Sequence, residues 1–173
     1  VMVQLHQFYG FRGLQPGEEA LLTVQLAPES LAQGRRPEFT LETGSGLHTA
    51  QEPVWIPALG QITWRLGVDE WGDRDITIDI DGVRYTKSLR ATENLVRLSP
   101  ERPPRTFIDQ LEWPSEEPFE ADSVVRSMTL GYAEGAVGIF GWDFEWAFAW
   151  MVVFFVLTLV VALILRKPMG VEL

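Results

Sequence analysis

The chain has 173 residues, no cysteine and a formal net charge of −10, from 14 lysines and arginines against 24 aspartates and glutamates. Without cysteine, disulfides, thiolate metal sites and cysteine catalysis are excluded, and two histidines are too few for a histidine-rich metal site. The acidic balance argues against a nucleic-acid partner, because nothing forms a basic stripe that would neutralise phosphates.

The first ten residues, VMVQLHQFYG, have neither the basic region nor the apolar region of a secretory signal. If the domain that follows lies outside a membrane, either a signal has been removed or the chain is the C-terminal part of a longer polypeptide. In the second case residues 1–5 are the outer end of an earlier transmembrane helix. The alternation of Val1, Val3 and Leu5 with residues 2, 4 and 6 also fits a first strand.

Several short segments between residues 20 and 66 predict strands, the clearest of them at 20–27 and 62–66, where apolar and polar side chains alternate as in half-buried strands. They are separated by a glycine- and proline-rich turn at residues 12–19 and by a polar loop at residues 28–37. We expect Trp64 to be a core tryptophan between two sheets, not a ligand-binding residue. The apolar residues of these segments are Leu22, Val24, Leu26, Phe39, Leu41, Val54, Trp55, Ile56, Ile62, Trp64 and Leu66.

The strongest local pattern lies at residues 76–89, where two alternating runs flank Asp81-Gly82. Asp-Gly supplies the positive φ angles of a two-residue type I′ turn, so this stretch predicts a β-hairpin. The side chains expected to point inward are Ile76, Ile78 and Ile80, opposite Val83, Tyr85 and Leu89 or their neighbours.

About seven short strands separated by turns, with no long amphipathic helix, predict a mainly β fold and an immunoglobulin-like β-sandwich over residues 1–98. The spacing over residues 15–91 resembles immunoglobulin-like and fibronectin-like domains in architecture only, because the cysteine pair of antibody domains is missing. Whether the strands form a pair of sheets or a barrel stays open.

Residues 99–122 differ in character, because they contain five prolines. Proline fixes φ and removes a hydrogen-bond donor, so this stretch predicts an extended strap without regular structure. A free linker would not need so many large apolar side chains. We expect the strap to pack on its own domain or on a partner through Phe107, Ile108, Leu111, Trp113 and Phe119.

The last part of the chain predicts two strands and a membrane span. Residues 123–141 hold the strands, at 124–132 and 136–140, with Gly141 as a hinge. Residues 142–167 predict one transmembrane helix with Asp143 as its N-cap, and residues 168–173 form a tail. Residues 147–165 are apolar at every position but Thr158, and a helix of that length spans about 28 Å, the thickness of a bilayer's hydrocarbon core.

The charges that flank the span indicate its orientation. Asp143 and Glu145 precede the apolar stretch, and Arg166 and Lys167 follow it directly. Because positive charge is retained on the cytoplasmic side, residues 168–173 should be cytoplasmic and the β-domain external. In a bacterium this describes a single-pass inner-membrane protein with a periplasmic domain.

Aromatic residues crowd the expected outer end of this helix. Trp142, Trp146 and Trp150 recur every four residues and would share one helix face, with Phe144 and Phe148 as a second row. Tryptophan prefers the headgroup region because its ring is apolar while its N–H needs a partner. The pattern indicates an interfacial aromatic belt; the alternative is contact with another transmembrane helix or with a cofactor of a neighbouring protein.

Two acidic groups were considered as sites. Residues 69–75, with Asp79 and Asp81, offer oxygen ligands for calcium, but their spacing matches no EF-hand, so a solvated acidic rim is expected. The carboxylates of residues 116–122 lie in a strap that holds catalytic geometry poorly. The serines and histidines match no nucleophile or metalloprotease motif. The sequence therefore predicts no catalytic residue, no metal and no cofactor.

Short pieces spread over the chain carry a family resemblance: FYGFR at 8–12, LQPGE at 14–18, FIDQL at 107–111, GW at 141–142 and KPMGVEL at 167–173. They resemble the C-terminal half of an uncharacterised family of bacterial inner-membrane proteins. The resemblance implies earlier transmembrane helices and a cytoplasmic helical stretch, a layout similar to membrane insertases in topology alone. This chain departs by lacking that first half, and the family implies no activity for any residue.

We expect a non-enzymatic, single-pass accessory or scaffold subunit of a larger membrane complex, by analogy an energy-transducing one such as a respiratory or photosynthetic complex. Its partners would be the bilayer and other integral membrane subunits, bound through the β-domain, the strap and the aromatic-rich helix. The alternative is the external domain and last helix of a larger insertase- or transporter-like protein. A periplasmic enzyme or ligand-binding domain would need a pocket with convergent polar groups, which the sequence does not show.

Overall fold

The structure is a computed structural model that describes residues 6, 9–31, 36–113, 115–139 and 142–169. It divides into two compact units, Val1–Ala133 and Glu134–Leu173. The mainly β fold and the C-terminal apolar helix are confirmed. The expectations for residues 1–5, Phe140, Gly141 and the end of the tail at 170–173 lie outside the described residues.

The first unit consists of strands with two short helices between them. In chain order its elements are β1 (Glu19–Leu26), α1 (Pro28–Leu31), β2 (Phe39–Glu42), β3 (Leu47–Ile56), β4 (Gln61–Val68), β5 (Gly72–Ile80), β6 (Val83–Ala91), β7 (Glu101–Arg102), α2 (Phe107–Glu112) and β8 (Val125–Leu130). The strands expected from alternation are therefore present, and α1 forms one turn at the start of the expected loop at 28–37.

These strands form two antiparallel sheets. The larger has the order β3-β4-β1-β8-β7 and the smaller the order β2-β5-β6. The chain changes sheet between β1 and β2, between β2 and β3, between β4 and β5, and between β6 and β7. The pairs β3–β4, β5–β6 and β7–β8 are neighbours within one sheet. Before β1, Leu14 forms a parallel bridge to Ala91 at the end of β6.

Both sheets contribute to one hydrophobic core. The alternation in β1 and β4 places one row of apolar side chains from each strand inside, and β5 adds a third row from the other sheet. Trp64 is 2% exposed and meets the Phe39 ring edge-on, with ring centroids 5.6 Å apart, so its expected place in the core is confirmed. Each such buried side chain stabilises the fold by roughly 1.5–3 kcal/mol. The three rows are Leu22, Val24, Leu26, Ile62, Trp64, Leu66, Ile76, Ile78 and Ile80.

The hairpin between β5 and β6 is confirmed. Asp81 has φ 50° and Gly82 has φ 84°, as a type I′ turn requires, and the Gly82 amide donates to Asp79 Oδ1 at 2.9 Å. One expected inward residue is wrong, since Val83 is 46% exposed. It lies directly beyond the turn, past the edge of the core, and the inward face of β6 continues instead to Lys87.

The outer strands of the larger sheet are irregular. β3 is longer than the strand expected at residues 54–56, and its pairing with β4 shifts between Thr49 and Gln51 and again between Gln51 and Val54. Pro53 lies within the second shift, because proline has no N–H to donate to a ladder. At the opposite edge, β7 contributes only two residues, which pair with β8.

The strap at residues 99–122 is not without regular structure, and that expectation is wrong. It contains β7 and α2. The proline count concealed a local helix signal: Thr106 is the N-cap, and its hydroxyl accepts from the Asp109 amide at 3.2 Å. A Thr-x-x-Asp pair is a variant of the capping box, which nucleates even a short helix.

The second unit contains β9 (Ala136–Ile139), β10 (Trp142–Glu145) and α3 (Trp146–Met169). β9 lies where the last strand was expected. β10 pairs with it antiparallel, so the long helix begins at Trp146 and not at Trp142, and Asp143 is not its N-cap. The sequence Trp-Asp-Phe-Glu alternates apolar with polar residues, and this period of two favours a strand over a first helical turn.

Candidate functional site

α3 carries a candidate membrane span. Its residues Phe148–Arg166 form a helix long and apolar enough to cross a membrane. Among these side chains Ala149 is buried and the others are exposed. Thr158 donates its hydroxyl to the Phe154 carbonyl at 2.7 Å. This polar side chain therefore has its hydrogen bond within the helix, as apolar surroundings require.

The residues expected at the membrane interface fall into two structural settings. Phe148 and Trp150 lie in the first turns of the span and are 46% and 40% exposed, and Arg166 is exposed at its other end. The expected four-residue spacing does not extend back to Trp142, because that residue lies in β10. The side chains of the remaining expected interface residues lie outside the described part of the chain: Trp142, Phe144, Trp146 and Lys167.

The strap is bonded to β8 near its start and closes on itself farther along. The Leu130 amide donates to the Pro100 carbonyl at 2.7 Å, and the Phe119 amide donates to the Pro103 carbonyl at 3.1 Å. Because the chain closes on itself between Pro103 and Phe119, the segment between them projects as a loop with adjoining ends.

Phe119 is the strap residue that packs into the core, at 3% exposure. The Arg102 guanidinium lies 4.3 Å from the centre of its ring, and the Tyr85 ring meets it edge-on at 5.8 Å. Arg102 also donates to the carbonyls of Thr86 at 2.9 Å and Glu117 at 2.8 Å. One arginine therefore ties both ends of the strap to β6.

α2 lies in the projecting part of this loop and turns large apolar side chains outward. Phe107 is 81% exposed, Ile108 is 72% exposed and Leu111 is 53% exposed, whereas Trp113 is half-buried at the end of the helix. At 100° per residue these three side chains cover about a 100° arc of the helix. Of the expected strap contacts, the structure thus buries Phe119 and leaves the α2 side chains on the surface.

Carboxylates lie beside this apolar arc. Burial raises the pKa of Glu101, and the negative charges of Asp109 and Glu112 raise it further. The carboxylates that interact with one another at α2 are Glu101, Asp109 and Glu112, against the exposed Arg105 just before the N-cap. The surface around α2 is consequently both apolar and acidic.

A buried charged cluster joins the strap to β6. Lys87 is fully buried, and its Nζ donates to the Ser99 carbonyl at 2.5 Å, to Ser99 Oγ at 3.1 Å and to Glu116 Oε1 at 3.0 Å. The same Glu116 oxygen accepts from the Ser88 hydroxyl and from the Ser88 amide at 3.3 Å. Glu116 Oε2 is buried without a partner among the described residues.

We call this cluster of Lys87, Ser88, Ser99 and Glu116 the clasp, because it joins the strap to β6. Burial lowers the pKa of Lys87, and the neighbouring Glu116 carboxylate acts against that shift. A lysine beside a serine hydroxyl is the arrangement of Ser–Lys hydrolases, but here Ser99 is only 8% exposed and Lys87 is not exposed at all. A substrate could not reach either group without opening the strap, so the cluster holds the strap in place.

Sequence reasoning missed this cluster. Lys87 lies between Tyr85 and Leu89 on the inward face of β6, and strict alternation would have placed it there. Its charge argues against an inward position, because lysine is almost never fully buried unless it is paired. Glu116 lies far along the chain in the strap, and no local pattern connects it to β6.

A groove of about 290 Å³ lies beside the strap, and it is lined by residues of both charges. Arg105 and Arg126 contribute positive charge, and Glu29 and Glu120 contribute negative charge, above the apolar side chains of Phe119 and Val125. The groove is open and its opposite charges offset each other, so it selects no ligand of one sign.

The acidic loop at 69–75 is spread over separate surface pairs. Asp69 lies 2.9 Å from His48 Nδ1, Arg74 lies 3.3 Å from Glu70, and Arg90 lies 3.7 Å from Asp73. Asp79 accepts from the Gly82 amide in the hairpin turn, and Asp81 accepts from the Glu38 amide just before β2. Over the described ranges, no three carboxylate or histidine side chains come together in a way that could hold a metal ion.

Comparison of the chain with protein-family models, with curated proteins and with solved structures found no match. The resemblance carried by the short pieces at residues 8–18, 107–111, 141–142 and 167–173 therefore stays a prediction.

Proposed function

We propose that this protein is a single-span, membrane-anchored accessory or scaffold subunit of a larger membrane complex, without enzymatic activity of its own. The observation that carries the proposal is α3, whose side chains from Trp150 to Arg166 are exposed and almost all apolar. Such a surface is stable only in lipid or against other apolar helices, since water around it is costly.

The proposed orientation has the C-terminus in the cytoplasm and the β-domain outside, in the periplasm of a bacterial inner membrane. Arg166 at the end of the span, followed in sequence by Lys167, supports it through the retention of positive charge on the cytoplasmic side. In this orientation the aromatic residues around Trp146 and Trp150 lie at the outer interface.

We further propose an immunoglobulin-like topology for the β-domain. Its support is the strand order: β8-β1-β4-β3 corresponds to A-B-E-D of that fold, and β2-β5-β6 corresponds to C-F-G. In this topology β8 occupies the position of strand A, although it comes after the other strands in the sequence. Domains of this architecture commonly present binding surfaces, which fits a non-enzymatic role by analogy.

The second candidate is the external domain and last helix of a larger insertase- or transporter-like protein. The pieces at residues 8–18 and 167–173 favour it, because they resemble the C-terminal half of an inner-membrane family whose members carry earlier transmembrane helices. In that case the partners of α3 belong to the same polypeptide.

Mild-detergent extraction from the native membrane, followed by native electrophoresis and mass spectrometry of the co-migrating bands, tests the proposal. A stable, stoichiometric set of other chains is expected of an accessory subunit. If mass spectrometry finds this sequence within a longer polypeptide that has additional transmembrane segments, the second candidate is established. A chain that migrates alone would contradict both.

A further inference from the structure

The strongest unexplained feature outside the membrane helix is the apolar arc of α2. Phe107 and Ile108 are 81% and 72% exposed, although aromatic and branched aliphatic side chains gain the most from burial. Phe107, Ile108 and Leu111 lie together on one face of a short helix. Apolar anchors with this spacing on a helix are what a partner's groove receives in helix-in-groove recognition.

The loop that carries α2 is held in a fixed shape before any partner arrives. Its base is closed by the hydrogen bond from Phe119 to Pro103, and Lys87 and Arg102 fasten it to β6. Thr106 caps the helix itself. Because little loop entropy remains to be lost on binding, such a surface can bind with useful affinity over a small area.

The charge beside the arc selects among possible occupants. Asp109 and Glu112 lie within α2 itself, and Glu101 lies in β7 just before it. Burial raises the pKa of Glu101, and the negative charges of Asp109 and Glu112 raise it further, so the three carboxylates lie near one another. A second copy of the chain would bring the same carboxylates face to face, because a twofold interface pairs identical patches. Anionic lipid headgroups would be repelled in the same way. A basic partner surface relieves the repulsion.

We propose that α2 is a docking ridge for a protein partner, a membrane subunit that offers an apolar groove bordered by lysine and arginine side chains. Phe107 and Ile108 fill the groove, and Glu112 and Asp109 meet its basic border. This inference rests on the proposed accessory-subunit function and names the chemistry of the partner.

Site-specific photo-crosslinking of the full chain in its native membrane tests the inference. A photoreactive benzoylphenylalanine replaces Phe107 in one variant, Leu95 in a second and Phe154 in a third. Leu95 is a matched control, because it is an exposed apolar residue of the same unit at 74% exposure. Phe154 is exposed in α3 and reports assembly within the membrane.

The expected result is a protein adduct at position 107 and none at 95, with a crosslinked peptide in which apolar residues are flanked by lysine or arginine. Glu112→Arg should lower the yield at 107 by about tenfold, as loss of a strong interface contact does. The reversal complements the helix dipole at the C-terminal end and so preserves α2. Glu93→Arg makes the same charge change at an exposed site in the loop after β6 and should leave the yield unchanged.

Other outcomes overturn the inference. An adduct of position 107 with lipid or with a second copy contradicts the basic protein groove. The same holds if Glu112→Arg leaves the crosslinking yield at position 107 unchanged or raises it. An adduct at 154 without one at 107 removes the docking ridge but leaves the accessory-subunit function standing. If neither position 107 nor position 154 gives a protein adduct, both the proposed function and the inference are contradicted.

Discussion

Lys87 has the most consequential single environment in the β-domain, because its charge is held inside by one carboxylate and one serine. Lys87→Met should destabilise the protein by about 3 kcal/mol, since Glu116 is then left buried without a cation. The double variant Lys87→Met/Glu116→Leu should recover most of that loss, because the unpaired charge is gone. Arg84→Met, on the exposed part of the same strand, should change stability by less than about 0.5 kcal/mol.

Urea unfolding of the full chain in mild detergent, followed by tryptophan fluorescence, measures these differences, since Trp64 is buried in the core. A double variant as unstable as Lys87→Met alone would show that the packing of the aliphatic stem, and not the ion pair, is what the clasp provides.

The same lysine makes stability depend on pH. Burial lowers its pKa from the ordinary value of 10.5, so between the lowered native pKa and 10.5 the unfolded chain binds more protons than the folded one. Stability from this group therefore rises as pH increases through that window. The unfolding midpoint of the wild type, relative to Lys87→Met at each pH, should increase toward pH 10.5. A difference that stays constant would show that Lys87 has the same pKa folded and unfolded.

At the scale of elements, the β5–β6 hairpin depends on the turn that joins its strands. Gly82 has φ 84°, and a Cβ there would meet no other atom within 4 Å, so a side chain costs only backbone strain. Gly82→Ala should destabilise by about 1–2 kcal/mol. Gly131→Ala is the control, because its added methyl group would make ordinary contacts at 3.5 Å and its φ lies outside the left-handed region. Equal unfolding midpoints for the two variants would contradict the type I′ turn.

Period and turn chemistry predicted the elements that depend on local pattern. Residues 20–27, 62–66 and 76–89 largely alternate apolar with polar side chains, and they form most of β1, β4 and the hairpin. Two elements escaped because a second local signal competed: prolines masked the Thr106 cap of α2, and the tryptophan spacing masked the alternation of β10. The clasp and the closure of the strap depend on contacts between distant residues, which no local pattern encodes.

At the scale of the molecule, the proposed membrane location depends on α3. Val156→Lys places a charge near the middle of the apolar stretch, at a cost to membrane insertion of about 2.5–3.5 kcal/mol. We expect a large part of the protein to leave the membrane fraction on alkaline carbonate extraction. Val54→Lys is the matched control, because Val54 is exposed on β3 of the β-domain, and it should stay in the membrane fraction. Equal extraction of the two variants would argue against a span.

The irregular outer strands of the larger sheet have a consequence for how this protein meets other chains. An unpaired strand edge is a template for amyloid-like growth. Here one margin is broken by two register shifts and Pro53, and the other ends after two residues, just before Pro103 and Pro104. Along these two margins, copies of the chain can therefore collide without adding strands to one another. Recognition of another chain at these margins therefore depends on side chains. Side chains can distinguish a different partner from a second copy of this chain, whereas backbone hydrogen bonds cannot.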